Sequence, residues 1–184
     1  MEKILHYQEK EKKLFEKCLR RVDAALLEEG NDSFSLWAEQ PESLESEQAF
    51  LLKEDGRIKS FAALQDDLLN ALFPKSKKGS KLYDLYEEAG FQEERVILLS
   101  CFASDPADWG KGYMSKLFQF LENTFKNVSW LALVPLENEK AARFLWKHGY
   151  RSIRQAIDFE GHEGKPMALF ANKLRRKGLA SLSF

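Results

Sequence analysis

The chain has 184 residues, 44% hydrophobic and 31% charged, with a net charge of −1. That length suffices for one domain with a real core, and the balanced charge excludes a global basic field of the kind that gathers nucleic acid. Two cysteines, Cys18 and Cys101, make no disulfide framework; the three histidines, His6, His148 and His162, are scattered, and no metal-ligand spacing is present.

Residues 3–7 read as a short first strand. Residues 8–29 form one amphipathic helix: Leu14, Phe15, Cys18, Leu19, Val22, Ala25 and Leu26 recur at three and four. Its charged face pairs Glu9 with Lys13 and Glu16 with Arg20, and Gly30-Asn31-Asp32 stops it. Residues 31–47 are polar, with Phe34, Leu36 and Trp37 as apolar punctuation, and give a loop with at most one helical turn. Strands at 49–53 and 57–64 flank Asp55-Gly56, a strong hairpin signal. From 66 to 94 two short helices, 67–73 and 81–88, surround a lysine-rich loop, and an insertion of this size is the candidate lid.

A buried strand spans 95–104. A helix follows over 111–127, with Met114, Leu117, Phe118, Leu121 and Phe125 as its core stripe, and then a buried strand at 130–134 closed by Pro135. The connection between the two strands is long enough for a parallel crossover. Asn138 caps the next helix and Gly149 ends it. Strands at 152–159 and 166–172 make a hairpin around 161–165, and the tail from 175 is loosely held. The basic runs at 75–81 and 173–177 read as solvated loop and tail rather than as binding patches. The N-terminus lacks a secretory apolar core and no run approaches the ~20 apolar residues of a membrane span, so the expected compartment is the cytoplasm.

The most informative stretch runs from Ser100 to Phe118: apolar strand, Asp105-Pro106, the turn Gly110-Lys111-Gly112, then helix. Glycines let a chain approach an anion closely, and a helix start adds unpaired N–H donors at a positive dipole end. The phosphate is not that of a nucleoside-triphosphate loop, because Gly112 stands where Ser or Thr should follow Gly-Lys and Asp105 stands where the first glycine should be. A dinucleotide fingerprint fails as well, with only two glycines and a position past mid-chain.

Trp109-Gly110-Lys111-Gly112-Tyr113-Met114 falls instead on the pattern Gln/Arg-x-x-Gly-x-Gly/Ala. Downstream, the stretch opening at Asn138, with Ala141, Phe144, Gly149 and Tyr150, falls on Asn-x-x-Ala-x-x-Phe-Tyr-x-x-x-Gly-Phe. In this order, with a strand between, the two motifs resemble the acyl-CoA loop and following helix of the GNAT superfamily of N-acetyltransferases, over residues 48–174. The resemblance implies an α/β single-domain fold: a mostly antiparallel twisted sheet with a parallel, splayed pair of strands at 95–104 and 129–135, and helices on both faces. Residues 1–47 would supply the first helix and acceptor-side loop, 48–94 the hairpin and insertion, 95–174 the acetyl-CoA-binding core and 175–184 the tail.

The resemblance also implies acetyl-CoA as co-substrate, no metal, and transfer of an acetyl group to the primary amine of a small molecule by direct attack in a ternary complex. Neither nucleic acid nor membrane is implied as a partner, and the protein would be a monomer or homodimer. Cofactor contacts would come from Phe102, Ala103 and Ser104 on the strand, from Trp109, Gly110, Lys111, Gly112, Tyr113, Met114 and Ser115 in the loop and helix start, and from Asn138, Ala141 and Phe144. The connection before Val96 and the loop at 161–166 resemble the puromycin-type, antibiotic-acetylating branch. Three residues depart from the pattern: Trp109 replaces Gln/Arg, Met114 replaces a small residue and narrows the space beside the pyrophosphate, and Leu145 replaces the tyrosine that protonates the leaving thiolate.

The usual base positions hold Leu98 and Ser100. The base is then a water chain through Ser100, or a group from the C-terminal hairpin such as Asp158, Glu160 or His162. The alternatives are a weak or degenerate CoA-thioester-binding or regulatory protein, and a protein N-acetyltransferase. Cys101, Tyr113 and Trp146 read as packing residues, and His148 as a helix-end residue suited to the dipole.

Overall fold

The strands are β1 (Lys3–His6), β2 (Gln48–Glu54), β3 (Arg57–Gln65), β4 (Val96–Ser104), β5 (Ser129–Pro135), β6 (Tyr150–Ile157) and β7 (Met167–Asn172). In the computed structural model, which describes residues 1–32, 34, 35, 38, 48–65, 96–126, 128–157 and 167–172, they form one seven-stranded sheet ordered β1-β2-β3-β4-β5-β7-β6. The β4–β5 pair is parallel and the others are antiparallel. The β2–β3 hairpin closes where the sequence places it, because Asp55 (φ 49°) and Gly56 (φ 74°) both take the left-handed backbone of a two-residue hairpin turn. The expected lid at 66–94, the hairpin loop at 158–166 and the tail lie outside the described residues.

Helix α1 (Lys12–Glu28) follows a 3-10 turn over Glu9–Glu11, so the expected helix at 8–29 begins with a tighter turn. Glu9 accordingly pairs with Lys12, not Lys13. Phe15, Cys18, Leu19, Val22 and Leu26 bury one face against Ile58, Phe61 and Ala63 of β3 and Cys101 of β4. Leu14, counted in the apolar stripe, lies at its edge and is 39% exposed. Helices α2 (Tyr113–Thr124) and α3 (Glu139–Lys147) cover the opposite face. There Leu117, Phe118 and Leu121 of α2 and Leu145 of α3 pack on Ala62, Leu64, Ile97, Leu99 and Ala132. Helices therefore flank both faces of the sheet, each over its own core. Among the described residues no helix is long and apolar enough to cross a membrane.

Removing a buried leucine loses its transfer free energy and leaves a cavity, a cost of about 2–5 kcal/mol. We expect Leu19→Ala, at a fully buried position, to lower the urea-unfolding free energy by that amount. Leu14→Ala at the stripe's edge should stay near ~0.5 kcal/mol. Equal losses at the two positions would show that α1 presents a different face to the sheet.

Candidate active site

Strand β4 pairs with β5 over its first residues, with both neighbours at Leu98 and Leu99, and with β3 beyond. Against β5 the parallel register runs from Val96↔Ser129 to Leu99↔Ala132. Against β3 it continues to Ser60↔Ser104. At the same place β4 carries an extra residue: Ala63 faces Cys101, and the next residue, Leu64, faces Leu99. Ser100 is that bulged residue. The packing records the slip, since Ile97 and Leu99 enter the α2–α3 core, Cys101 and Ala103 enter the α1 core, and Phe102 returns to the first. A bulge bends its strand and frees backbone groups from the ladder. β4 and β5 therefore part at Ser100, and β5-facing main-chain groups of β4 line a wedge up to Ser104.

The loop above the wedge hangs from two buried carboxylates. Asp105 (1% exposed) accepts from Arg21 of α1, from Arg57 Nη2 of β3 at 3.4 Å and from its own loop at Ala107 N at 3.1 Å. Asp108 (3% exposed) accepts from Lys59 Nζ at 3.1 Å and Lys111 Nζ at 2.8 Å. Burial works to raise the Asp108 pKa, but hydrogen bonds and charge from Lys111 and Lys59 outweigh it and hold the carboxyl below its usual range. Trp109 Nε1 donates to Ser104 O at 3.0 Å and ties the loop to the strand end. The loop backbone is thus fixed before any ligand arrives.

Between these anchors Gly110 (φ 78°) and Gly112 (φ 82°) take left-handed conformations, and a Cβ built on either would meet nothing within 4 Å. Gly112 is the N-cap of α2 and supplies no side-chain cap. The first N–H groups of α2, at Tyr113, Met114 and Ser115, therefore have no partner within the helix. Donors, dipole and open backbone together suit a phosphate. The expected helix start at Lys111 moves to Tyr113, because Gly112 breaks the helical backbone.

The other expected contacts divide. Met114 is buried in the core cluster that holds Leu117 and Phe118. Asn138 Oδ1 accepts from Ala141 N at 3.0 Å, so its side chain caps α3 itself. Phe102, Phe118 and Phe144 form an aromatic cluster, with Phe118 and Phe144 centroids 4.9 Å apart, and Ala141 packs at its margin. Tyr113 donates to Glu54 of β2, and that hydrogen bond, with burial, pushes its pKa up to about 12. A phenol so held is a poor proton donor. Leu98 and Leu145 are both buried and offer no titrating group. Cys101 is a core residue, as expected. Trp146, 48% exposed, lies against Phe170 in a separate cleft of about 310 Å³ beside β5 and β7.

Two features lay beyond the sequence reading. Ser115 Oγ lies 2.9 Å from His148 Nε2, so His148 reaches the first turn of α2 and is more than a helix-end charge. The cations that hold Asp105 and Asp108 come from α1, β3 and the loop itself; their sequence trace is Arg57 and Lys59 standing ahead of the apolar run Phe61–Leu64 of β3. Among the described residues no group of His, Cys, Asp and Glu is placed to hold a metal ion.

No protein-family model matches the sequence, and no curated protein matches it. Solved structures do. A GNAT-family acetyltransferase from Streptococcus agalactiae superposes with a TM-score of 0.66 at 17% identity, covering 93% of this chain and 94% of the other. The ribosomal-protein-S18-alanine N-acetyltransferase of Escherichia coli gives 0.61 at 15%, covering 100% and 99%. The protein yncA of Salmonella typhimurium, solved with its cofactor acetyl-CoA, gives 0.56 at 13%, covering 100% and 99%. The chain has the GNAT fold.

Burial lowers the His148 pKa below its ordinary value of 6.5. The unfolded chain then binds more protons than the folded one as pH falls through 6.5, so stability declines until the folded pKa is passed. We expect His148→Gln to flatten the melting-temperature profile between about pH 7 and 5, the range around an ordinary histidine pKa. An unchanged slope would show that other groups set it.

Proposed function

We propose that this chain is an acetyl-CoA-dependent N-acetyltransferase acting on the primary amine of a small molecule. The observation that carries the reading is the uncapped start of α2 at Gly112, fixed by buried Asp105 and Asp108 above the parting of β4 and β5. Bound acetyl-CoA would supply the acyl group as a thioester. Main-chain N–H groups of Tyr113, Met114 and Ser115 would hold its pyrophosphate, with Trp109, Gly110, Lys111 and Gly112 forming the loop around it. Main-chain groups of Phe102, Ala103 and Ser104 would pair with the pantetheine amides and polarise the acyl carbonyl. Asn138, Ala141 and Phe144 would border the arm. A water chain at Ser100 would carry the proton from the amine.

Leu98 and Leu145, buried where an acid or base would serve, favour a second reading, a catalytically weak binder of CoA thioesters. The neighbour that acetylates an alanine of a ribosomal protein supplies a third, a protein N-terminus as acceptor. A thiol-release screen over alkylamines, arylamines, aminated antibiotics and an alanyl peptide, run with acetyl-CoA, separates the three.

Acetyl-CoA at about 100 times its dissociation constant should stabilise the fold by ~2.7 kcal/mol, a melting shift of roughly 5–10 °C at this size. Gly112→Ala and Gly56→Ala carry the same left-handed strain, about 1–2 kcal/mol each. Only Gly112→Ala should also lose the acetyl-CoA shift, since its methyl group enters the phosphate space. No shift in the wild type with acetyl-CoA or CoA at millimolar concentration would end the reading.

An alkylamine with pKa near ~10.4 is neutral to only about four parts in ten thousand at pH 7. With leucine at 98 and 145, turnover of such an acceptor should climb through about pH 9, and weakly basic aryl or hydrazine-type amines should compare well near neutrality. A bell-shaped profile centred near pH 7 would instead reveal a titrating base.

A further inference from the structure

A single side-chain hydrogen bond joins the end of α3 to the start of α2. His148, the C-cap residue of α3, packs against two rings, with the Phe144 centroid 4.4 Å and the Phe118 centroid 5.6 Å from its own. The ring so held sets Nε2 2.9 Å from Ser115 Oγ, and both residues are half-buried. Ser115 is the third residue of α2, and helix geometry leans its side chain toward the N-terminus. Its hydroxyl thus lies beside the N–H groups of the first turn, where the helical ladder begins only with Lys116 N donating to Gly112 O at 3.1 Å. A hydroxyl has one proton and two lone pairs. If Ser115 gives that proton to an anion, His148 Nε2 must carry a proton and donate it to Oγ.

We propose that His148 is a positioning residue for the cofactor's pyrophosphate: it turns the Ser115 hydroxyl toward the anion and takes up a proton from solvent as the anion binds. The proposal rests on the acetyl-CoA reading and adds regulation by pH to that same site. Without ligand, burial lowers the His148 pKa and keeps the imidazole neutral near neutral pH. An anion held by Ser115 favours the imidazolium by charge and by the relay of donors, and the Phe118 and Phe144 rings tolerate the cation. The carboxylate of Glu122, on α2, also favours the charged form. Lys116, next along α2, turns to Glu2, and Lys147 beside His148 is exposed. Tyr150 of β6, which shares the Phe118 ring, keeps its proton because burial raises its pKa. These neighbours are common to the free and bound states, so the change on binding comes from the anion. The bound state then holds more protons than the free one, and affinity rises as pH falls.

The test is calorimetric binding of dephospho-CoA, whose pyrophosphate diester lacks the phosphate monoester, with a pKa near ~6, that would itself titrate. The proteins are the wild type, His148→Gln, Ser115→Ala, Ser115→Thr and the double variant Ser115→Ala/His148→Gln, each shown folded by its melting curve at every pH used. A pKa rise of about half to one unit on binding corresponds to roughly three- to tenfold in affinity. The wild type should tighten by that factor from about pH 7.5 to 5.5, a range around an ordinary histidine pKa. Titrations in two buffers of different ionisation heat should show the accompanying proton uptake. His148→Gln and Ser115→Ala should each lose both the slope and the uptake, and Ser115→Thr should keep them. The double variant should bind no more weakly than Ser115→Ala, since the two residues act through one bond. Equal slopes in the wild type and both single variants would overturn the proposal and leave the cofactor reading standing. No binding by the wild type at millimolar ligand would end the cofactor reading and this inference with it.

Discussion

Parallel pairing between β4 and β5 stops where β4 gains an extra residue, and the rest of the candidate site follows from that slip. In a sheet every interior strand normally spends its N–H and C=O groups on two neighbours. Past Ser100, β4 keeps one neighbour, β3. Among the described residues its pairing with β5 ends at Leu99, and backbone groups at a parted edge are costly unless protein, water or a ligand supplies partners. The bulge also exchanges the faces of the strand, sending Cys101 to the α1 side and Phe102 to the α2–α3 side. A single added residue thus opens the wedge and decides which side chains border it.

The wedge would serve little without a rigid loop above it. Asp105 and Asp108 are almost wholly buried, and an unpaired carboxylate there would cost several kcal/mol. Each is paired with two cations from separate elements: Arg21 and Arg57 for Asp105, Lys59 and Lys111 for Asp108. A loop held from α1, β3 and its own end has few ways to move. The glycine backbone at 110 and 112 is therefore shaped by side chains that themselves point away from the ligand space. Preorganisation of this kind lowers the ordering cost of binding a flexible polyanion.

The sequence made some of this legible and hid the rest for a physical reason. Apolar spacing located α1, α2 and the β4 and β5 strands, and Asp55-Gly56, Asn138 and Gly149 marked local turns and caps that depend on near neighbours alone. The glycine loop was readable for the same reason. The bulge at Ser100 was not, because it depends on the register of β3, and nothing in Leu98-Leu-Ser-Cys101 announces an unpaired residue. The pairs Arg21–Asp105, Ser115–His148 and Lys140–Glu29 join residues 84, 33 and 111 positions apart, a separation that no local pattern encodes. Met114 and Asn138 were placed at the ligand by motif, but their own side chains are used by the core and by the helix cap.

The two leucines where proton transfer would be served raise the question of whether such a site could catalyse at all. General acid–base help contributes about 10²–10⁴-fold, which is roughly 3–5 kcal/mol of barrier. Holding two reactants in register contributes on the order of 7–11 kcal/mol in well-oriented cases. Main-chain donors aimed at a developing oxyanion add about 3–4 kcal/mol each. Positioning is the largest of the three, and the fixed helix start at Gly112 and the β4 edge past Ser100 are the features that would supply it. The missing acid and base would supply a contribution about as large as one oxyanion donor. On the N-acetyltransferase reading, a chain with Leu98 and Leu145 would be a slower catalyst for protonated amines rather than an inert one, and its acceptor would be selected by how easily the amine gives up its proton and by what holds the rest of the molecule in place.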